Sequence, residues 1–153
     1  DEIFRLYRYV SEQAGFNLFI LKYNYFFHLK DQLGDKLRVT GYFLEDKMVG
    51  FYTSILSQDA LDAHFLGYDH NYNGSHQLYL NMLYDLVEEG IEQSVSHVDM
   101  SRTALEIKSS VGATQTNLNL YIKLSSKAID RYTPKLLDFL TPKEEWKARN
   151  PFK

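Results

Sequence analysis

Leu37-Arg38-Val39-Thr40-Gly41-Tyr42-Phe43-Leu44 leads through Glu45-Asp46-Lys47 into Met48-Val49-Gly50-Phe51-Tyr52-Thr53-Ser54-Ile55-Leu56-Ser57, and the architecture turns on this stretch. Both arms are rich in β-branched and aromatic residues with a period of two, which reads as strand. The short polar break between them reads as a tight turn, so the two arms form a hairpin. Gln58-Asp59 turns the chain again. Ala60 to Tyr68 then extends the hairpin into a three-stranded antiparallel meander.

Upstream of the meander the period is helical. Ile3, Leu6, Tyr7 and Val10 recur at three- and four-residue steps, predicting a helix over Glu2 to Ala14 that stops at Gly15. Asn17 to Leu21 is short, apolar and extended. Asn24 to Leu33 reads as a second helix, anchored by Phe26, Phe27 and Leu29 and ending near Gly34.

Downstream, Asp69 to Ser75 is a loop by composition. His76 to Glu92 carries the apolar stripe of a long helix: Tyr79, Leu80, Leu83, Leu86, Val87 and Ile91. A short strand over Ser96 to Met100 and a helix over Thr103 to Val111 follow. Thr116 to Leu124 alternates Leu118, Leu120, Ile122 and Leu124 with Asn117, Asn119, Tyr121 and Lys123, predicting a last strand. Ala128 to Leu140 reads as a helix that Pro134 interrupts. A meander followed by alternating helices and strands implies an α/β (α+β) fold: a mixed, mostly antiparallel sheet flanked by helices.

The 153 residues fit one domain over 1–153, with 141–153 as a mixed-charge surface tail. The chain opens on Asp1, which suggests a piece of a longer protein. Residues 1–126 hold 10 basic and 16 acidic side chains, and the whole chain has a net charge of −3. That excludes a domain-wide cationic surface for DNA. With no cysteine there is no disulfide, thiol nucleophile or thiolate metal site. The longest apolar runs fall short of the roughly 20 residues that span a bilayer. No metal site is expected: the five histidines show no ligand spacing, and no zincin, nucleophile-elbow, Walker or dinucleotide motif is present. A cytoplasmic location is expected, and a homodimer is left open.

Three segments within this order resemble the GNAT superfamily of acyl-CoA N-acyltransferases. They are Lys47-Met48-Val49-Gly50-Phe51, Phe65-Leu66-Gly67-Tyr68 through Asn73-Gly74-Ser75-His76, and Ser101-Arg102-Thr103-Ala104-Leu105-Glu106-Ile107-Lys108-Ser109-Ser110-Val111-Gly112-Ala113. The likeness covers roughly Leu37 to Leu124 and is sharpest toward a divergent branch that includes the Fem-type aminoacyl transferases. It implies a GNAT-like fold and transfer of an acyl group, acetyl first, from acetyl-CoA or another acyl-CoA to a small-molecule or peptide amine. Two alternatives stay open. One is a Fem-type transferase that uses aminoacyl-tRNA on a cell-wall precursor; the other is a non-catalytic GNAT-like binding module.

The resemblance also implies residue roles. Pantetheine would run between two splayed strands near Leu66, Gly67 and Tyr68. The pyrophosphate would meet Asn73, Gly74, Ser75 and His76 at the start of the long helix, where free backbone N–H groups and the helix dipole favour anions. The plainer reading there is a turn glycine with Ser75 as N-cap. Ser101 and Arg102 would contact an anionic group of the donor. Lys108 stands where the family has a tyrosine that protonates the leaving thiolate, and a lysine does that only with a pKa shifted by burial or a neighbouring cation. A surface helix lysine fits the same position. The amine must lose a proton, and His64 and Asp69 are the first candidates to accept it, with Tyr68 and Tyr121 as proton donors or carbonyl holders. Otherwise His64 is a structural strand histidine and Asp69 a loop cap.

Overall fold

A computed structural model of the chain describes residues 1–14, 17, 19–119, 133, 137, 146–149 and 151–152. The chain forms two compact units, Asp1–Thr103 and Ala104–Lys153, each described by itself.

The first unit opens with α1 (Glu2–Gln13) and α2 (Tyr25–Leu33). The meander follows as β1 (Leu37–Leu44), β2 (Lys47–Leu56) and β3 (Ala60–Tyr68). Then come α3 (His70–His76), α4 (Leu78–Glu92) and β4 (His97–Asp99). The sheet order is β1-β2-β3-β4, antiparallel except for the parallel β3/β4 pair. The hairpin turn places Glu45 at φ 53, a left-handed conformation that lets two residues close the strands.

β2 sends side chains to both faces, and a bulge at Val49, the residue skipped between the Tyr42↔Gly50 and Phe43↔Met48 pairs, puts Val49 on the face opposite Phe51. Val49 and Tyr52 join Leu61 under Leu78, Met82 and Leu86 of α4. Phe51 packs on the other face with Leu6 and Tyr7 of α1, Leu21, and Phe26 of α2. Each fully buried apolar side chain contributes about 1.5–3 kcal/mol. The α4 face also holds a polar cluster. Tyr52 and Ser54 donate to the buried Glu89 carboxylate at 3.1 and 2.8 Å, Arg38 lies 3.5 Å from it, and Tyr42 donates to Asp85.

The expected loop at Asp69–Ser75 is a helix. The Asp69 carboxylate accepts the Asn71 backbone N–H at 3.1 Å and so caps α3, while Gln77 at φ 47 breaks the backbone before α4. The long helix therefore starts at Leu78, not His76, and Ser75 lies inside α3 rather than capping α4. Among the described residues no helix is long and apolar enough to cross a membrane.

In the second unit the expected helix over Thr103 to Val111 shortens to α5 (Leu105–Ser109), because Ala104 at φ 55 delays its start. Arg149 ties the described part of the tail to α5: its guanidinium pairs with Glu106 at 2.8 Å and its N–H donates to Ser109 Oγ at 2.9 Å. Residues 116–119 carry no strand, and 120–124 lie outside the described residues. So does most of the helix expected over Ala128 to Leu140.

Candidate active site

The parallel pair β3/β4 is short. Ala60↔His97, Leu61↔Val98 and Asp62↔Asp99 pair, and then the strands part. Ser101 sits at the parting, held at φ 64. Its N–H donates to Asp99 Oδ1 at 2.7 Å and its Oγ donates to the Ala63 carbonyl at 2.7 Å. Beyond Ala63, no strand among the described residues pairs with the β4-facing side of β3. Leu66, Gly67 and Tyr68 lie on that stretch, where alternate residues turn their backbone donors and acceptors away from β2.

One residue past this clasp, β3 bulges. Thr53 is opposite Phe65 and Ser54 opposite Ala63, so His64 is the extra residue. A bulge resets side-chain phase and re-aims a residue. His64 and Phe65 therefore do not alternate across the sheet; both turn toward α2. His64 stacks on Tyr25 with centroids 5.8 Å apart, and Phe65 packs edge-on to Tyr25 and Phe26.

The hydrogen bonds assign the tautomer of His64. Thr53 Oγ1 has one proton, which it donates to the Phe65 carbonyl at 3.0 Å. It accepts the Phe65 N–H at 3.0 Å. Its 3.3 Å contact with His64 Nδ1 is therefore an accepted bond from Nδ1–H. Nε2 then carries the lone pair, and the Tyr25 hydroxyl donates to it at 3.0 Å. Burial pushes the imidazole pKa below the ordinary histidine value, which keeps the ring neutral. Burial likewise raises the Tyr25 pKa and keeps its proton on.

The other expected residues are dispersed. His64 and Asp69 are five residues apart along β3, roughly 15 Å at strand rise, and do not meet. Asp69 is buried, accepts from both Asn71 nitrogens and lies 3.4 Å from Lys47 Nζ. Its burial alone would raise its pKa, but the Asn71 bonds and Lys47 outweigh that and hold it ionised. Tyr68 stacks edge-on with His70 at 4.7 Å and lies 6.0 Å from Tyr79 in the first turn of α4. Asn73 Oδ1 accepts the Tyr79 N–H at 3.0 Å, so one free amide of α4 is already taken. Ser75 Oγ and His76 Nδ1 are 2.8 Å apart, and a Cβ at Gly74 would meet nothing within 4 Å. Gly67 is crowded: a Cβ there would lie 2.5 Å from Leu6 C and 2.6 Å from Leu6 O, so its bare backbone is what lets α1 approach. Ser101 and Arg102 are exposed. In the second unit Lys108 is buried, not a surface lysine, and its N–H donates to Ala104 O. Tyr121 lies outside the described residues.

A family model described as an acetyltransferase (GNAT) domain matches residues 1–109. The chain belongs to the GNAT acetyltransferase family. It is by that membership a transferase, as the motifs implied; the Fem-type branch finds no such support. Three solved structures of two acetyltransferases share the architecture. An aminoglycoside acetyltransferase from an uncultured soil metagenomic sample, in complex with sisomicin, is similar with a TM-score of 0.57 and 18% identity over 81% of this chain and 87% of that one. The same enzyme with trehalose gives a TM-score of 0.56 and 19% identity, over 81% of this chain and 87% of that one. An acetyltransferase of Trypanosoma brucei gives a TM-score of 0.58 and 14% identity over 79% of this chain and 89% of that one. At these identities the likeness is one of fold. None of the curated proteins matches the chain by sequence.

Within this GNAT domain, Tyr25 and Thr53 are the partners of His64 that sequence reasoning missed. Tyr25 is 39 positions from His64 and carries no motif. The one signal available was the abundance of tyrosine, which alone names no position.

Proposed function

We propose that this GNAT domain is an N-acetyltransferase, moving an acyl group from acetyl-CoA, or another acyl-CoA, to an amine. The observation that carries this reading is the opening of β3 and β4 at Ala63, directly beside a neutral histidine with its lone pair on Nε2. Pantetheine carries amides, and the unpaired edge at Leu66, Gly67 and Tyr68 offers backbone partners for them. The pyrophosphate would lie toward the first turn of α4, near Ser75 and His76, where the amides not taken by Asn73 and the helix dipole favour an anion.

The amine nitrogen attacks the thioester carbonyl carbon, the C–S bond breaks, and the thiolate leaves. The nitrogen must shed a proton. It passes to Tyr25 Oη as Tyr25 gives its own proton to His64 Nε2, and Thr53 holds the ring in the accepting tautomer. Ser101 shapes the opening, and Arg102 is the candidate to meet an anionic group of the donor.

Thermal-shift titration with acetyl-CoA and CoA tests the donor. At about 100 times Kd the ligand should add roughly 2.7 kcal/mol of stability. No shift at millimolar CoA overturns the reading. His64→Gln should keep that shift and lose turnover by about 100-fold or more.

A further inference from the structure

A second feature of the first unit meets the histidine from outside. An open cleft of about 460 Å³ lies along α2 and the segment before it. Phe19, Ile20, Leu21, Tyr25 and Leu29 line it, with the polar Asn24, His28 and Gln32, and Lys22 is the one lysine or arginine among the described lining. Phe19 is 70% exposed and Ile20 49%, with Tyr23 and Phe27 also exposed nearby. Clustered exposed apolar side chains mark a contact surface. No carboxylate belongs to the described lining. Tyr25 belongs to the cleft and to the catalytic arrangement at once, since its hydroxyl donates to His64 Nε2.

We infer that the acceptor is a monoamine carried on an apolar body, bound in this cleft with its nitrogen at the Tyr25 hydroxyl. The inference rests on the transferase reading above and narrows its substrate class. The chemistry runs as follows. An ammonium group loses hydration on entering an apolar cleft and finds no carboxylate to compensate, so the neutral, nucleophilic amine is favoured there. Lys22 adds to this by like-charge repulsion. An amine with one nitrogen needs to lose one proton, and Tyr25 with His64 provides one path. A polycation such as an aminoglycoside would have to bring several charges beside Lys22 with no counter-ion in the lining. The substrate class named by the structural relatives therefore does not fit this cleft.

Calorimetric titration of the full chain with 2-phenylethylamine and with sisomicin, each with and without acetyl-CoA, tests this alongside a CoA-release assay. The expected result is that 2-phenylethylamine binds at least tenfold more tightly than sisomicin and is acetylated. Ile20→Asn, a neutral change at a half-exposed site that does not disturb the core, should weaken 2-phenylethylamine binding and raise its KM about tenfold or more, with acetyl-CoA affinity unchanged. Equal or tighter sisomicin binding overturns the inference, as does an Ile20→Asn variant with unaltered amine binding. If 2-phenylethylamine binds in an Ile20-dependent way but acetyl-CoA does not bind, the donor reading fails and the cleft assignment stands. If acetyl-CoA binds and 2-phenylethylamine does not, the cleft assignment fails and the donor reading stands.

Discussion

Gly67→Ala is the substitution whose cost the structure defines most sharply. A methyl at Gly67 would sit 2.5 Å from the carbonyl carbon and 2.6 Å from the oxygen of Leu6, and 2.6 Å from Phe51 Cε1. Ordinary carbon contacts lie near 3.5–4.0 Å, so α1 must withdraw from β3 by about 1 Å. Leu6 and Phe51 are both fully buried, and the obstacle is helix backbone rather than the end of a flexible side chain. Overpacking costs typically about 1–3 kcal/mol, and a backbone clash belongs at the upper end, near 3 kcal/mol. Urea unfolding followed by circular dichroism should show a lower midpoint at unchanged slope; for a slope of about 1.5 kcal/mol/M the shift is about 2 M. Gly74→Ala is the control. It lies inside α3 with open space around it, so it should stabilise by about 0.5–1 kcal/mol through helix propensity. A Gly67→Ala variant within about 0.5 kcal/mol of wild type (smaller than any overpacking cost) refutes the packing argument. If that stable variant also loses the acetyl-CoA shift, the glycine serves the donor instead.

Removing the Glu89 carboxylate should be costly, because it leaves the Tyr52 and Ser54 hydroxyls buried without their acceptor. Glu89→Ala is expected to lose about 3 kcal/mol in urea unfolding, and Glu89→Gln less. The depressed His64 pKa makes stability pH-dependent with a definite sign. Above the ordinary histidine pKa of about 6.5, both folded and unfolded states hold neutral imidazole. As pH falls through that value the unfolded chain binds the proton first, so stability is lost until the folded pKa is passed. Thermal melts at pH 7.5 and pH 5 should therefore show a larger fall for wild type than for His64→Gln. Tyr25→Phe removes the proposed proton relay and should cut kcat by about 100-fold while the acetyl-CoA shift persists; full activity in this variant contradicts the relay.

The meander was legible because two local signals agree there. Alternation gave β1 and β3 their observed bounds, Leu37–Leu44 and Ala60–Tyr68, and the polar turn set the hairpin. The apolar stripe of α1 was legible for the same reason, but those of α2 and α4 only in part: Phe26, Leu83 and Leu86 are buried as expected, while Phe27 and Ile91 are exposed and the buried Leu78 and Met82 lay outside the expected stripe. The segment after β3 was not. Asn, Gly and Ser favour loops when isolated, and only the capping carboxylate of Asp69 and the left-handed Gln77 convert them into α3. Lys108 was ambiguous because burial of a helix position depends on what packs over it. His64 could be named as a candidate, but not its orientation. That depends on the bulge, and the bulge belongs to the register of β3 against β2, a pairing that no single segment encodes.

The bulge, the clasp and the opening are one device. Ser101 bonds to Ala63, the last residue of β3 to be held from the β4 side, and His64 is the next. A regular strand leaving its partner at this point would keep strict alternation, and His64 and Phe65 would face opposite sides of the sheet. The extra residue cancels that alternation for one step. Leu66 and Tyr68 keep packing toward α4, where the donor is proposed to lie, while His64 turns to Tyr25 at the apolar cleft. In the proposed transfer, a strand with two faces would thus present neighbouring residues to the two substrates. The left-handed Ser101, a conformation that costs a non-glycine residue of order 1 kcal/mol, is the strain expected where a strand must be released at one defined residue.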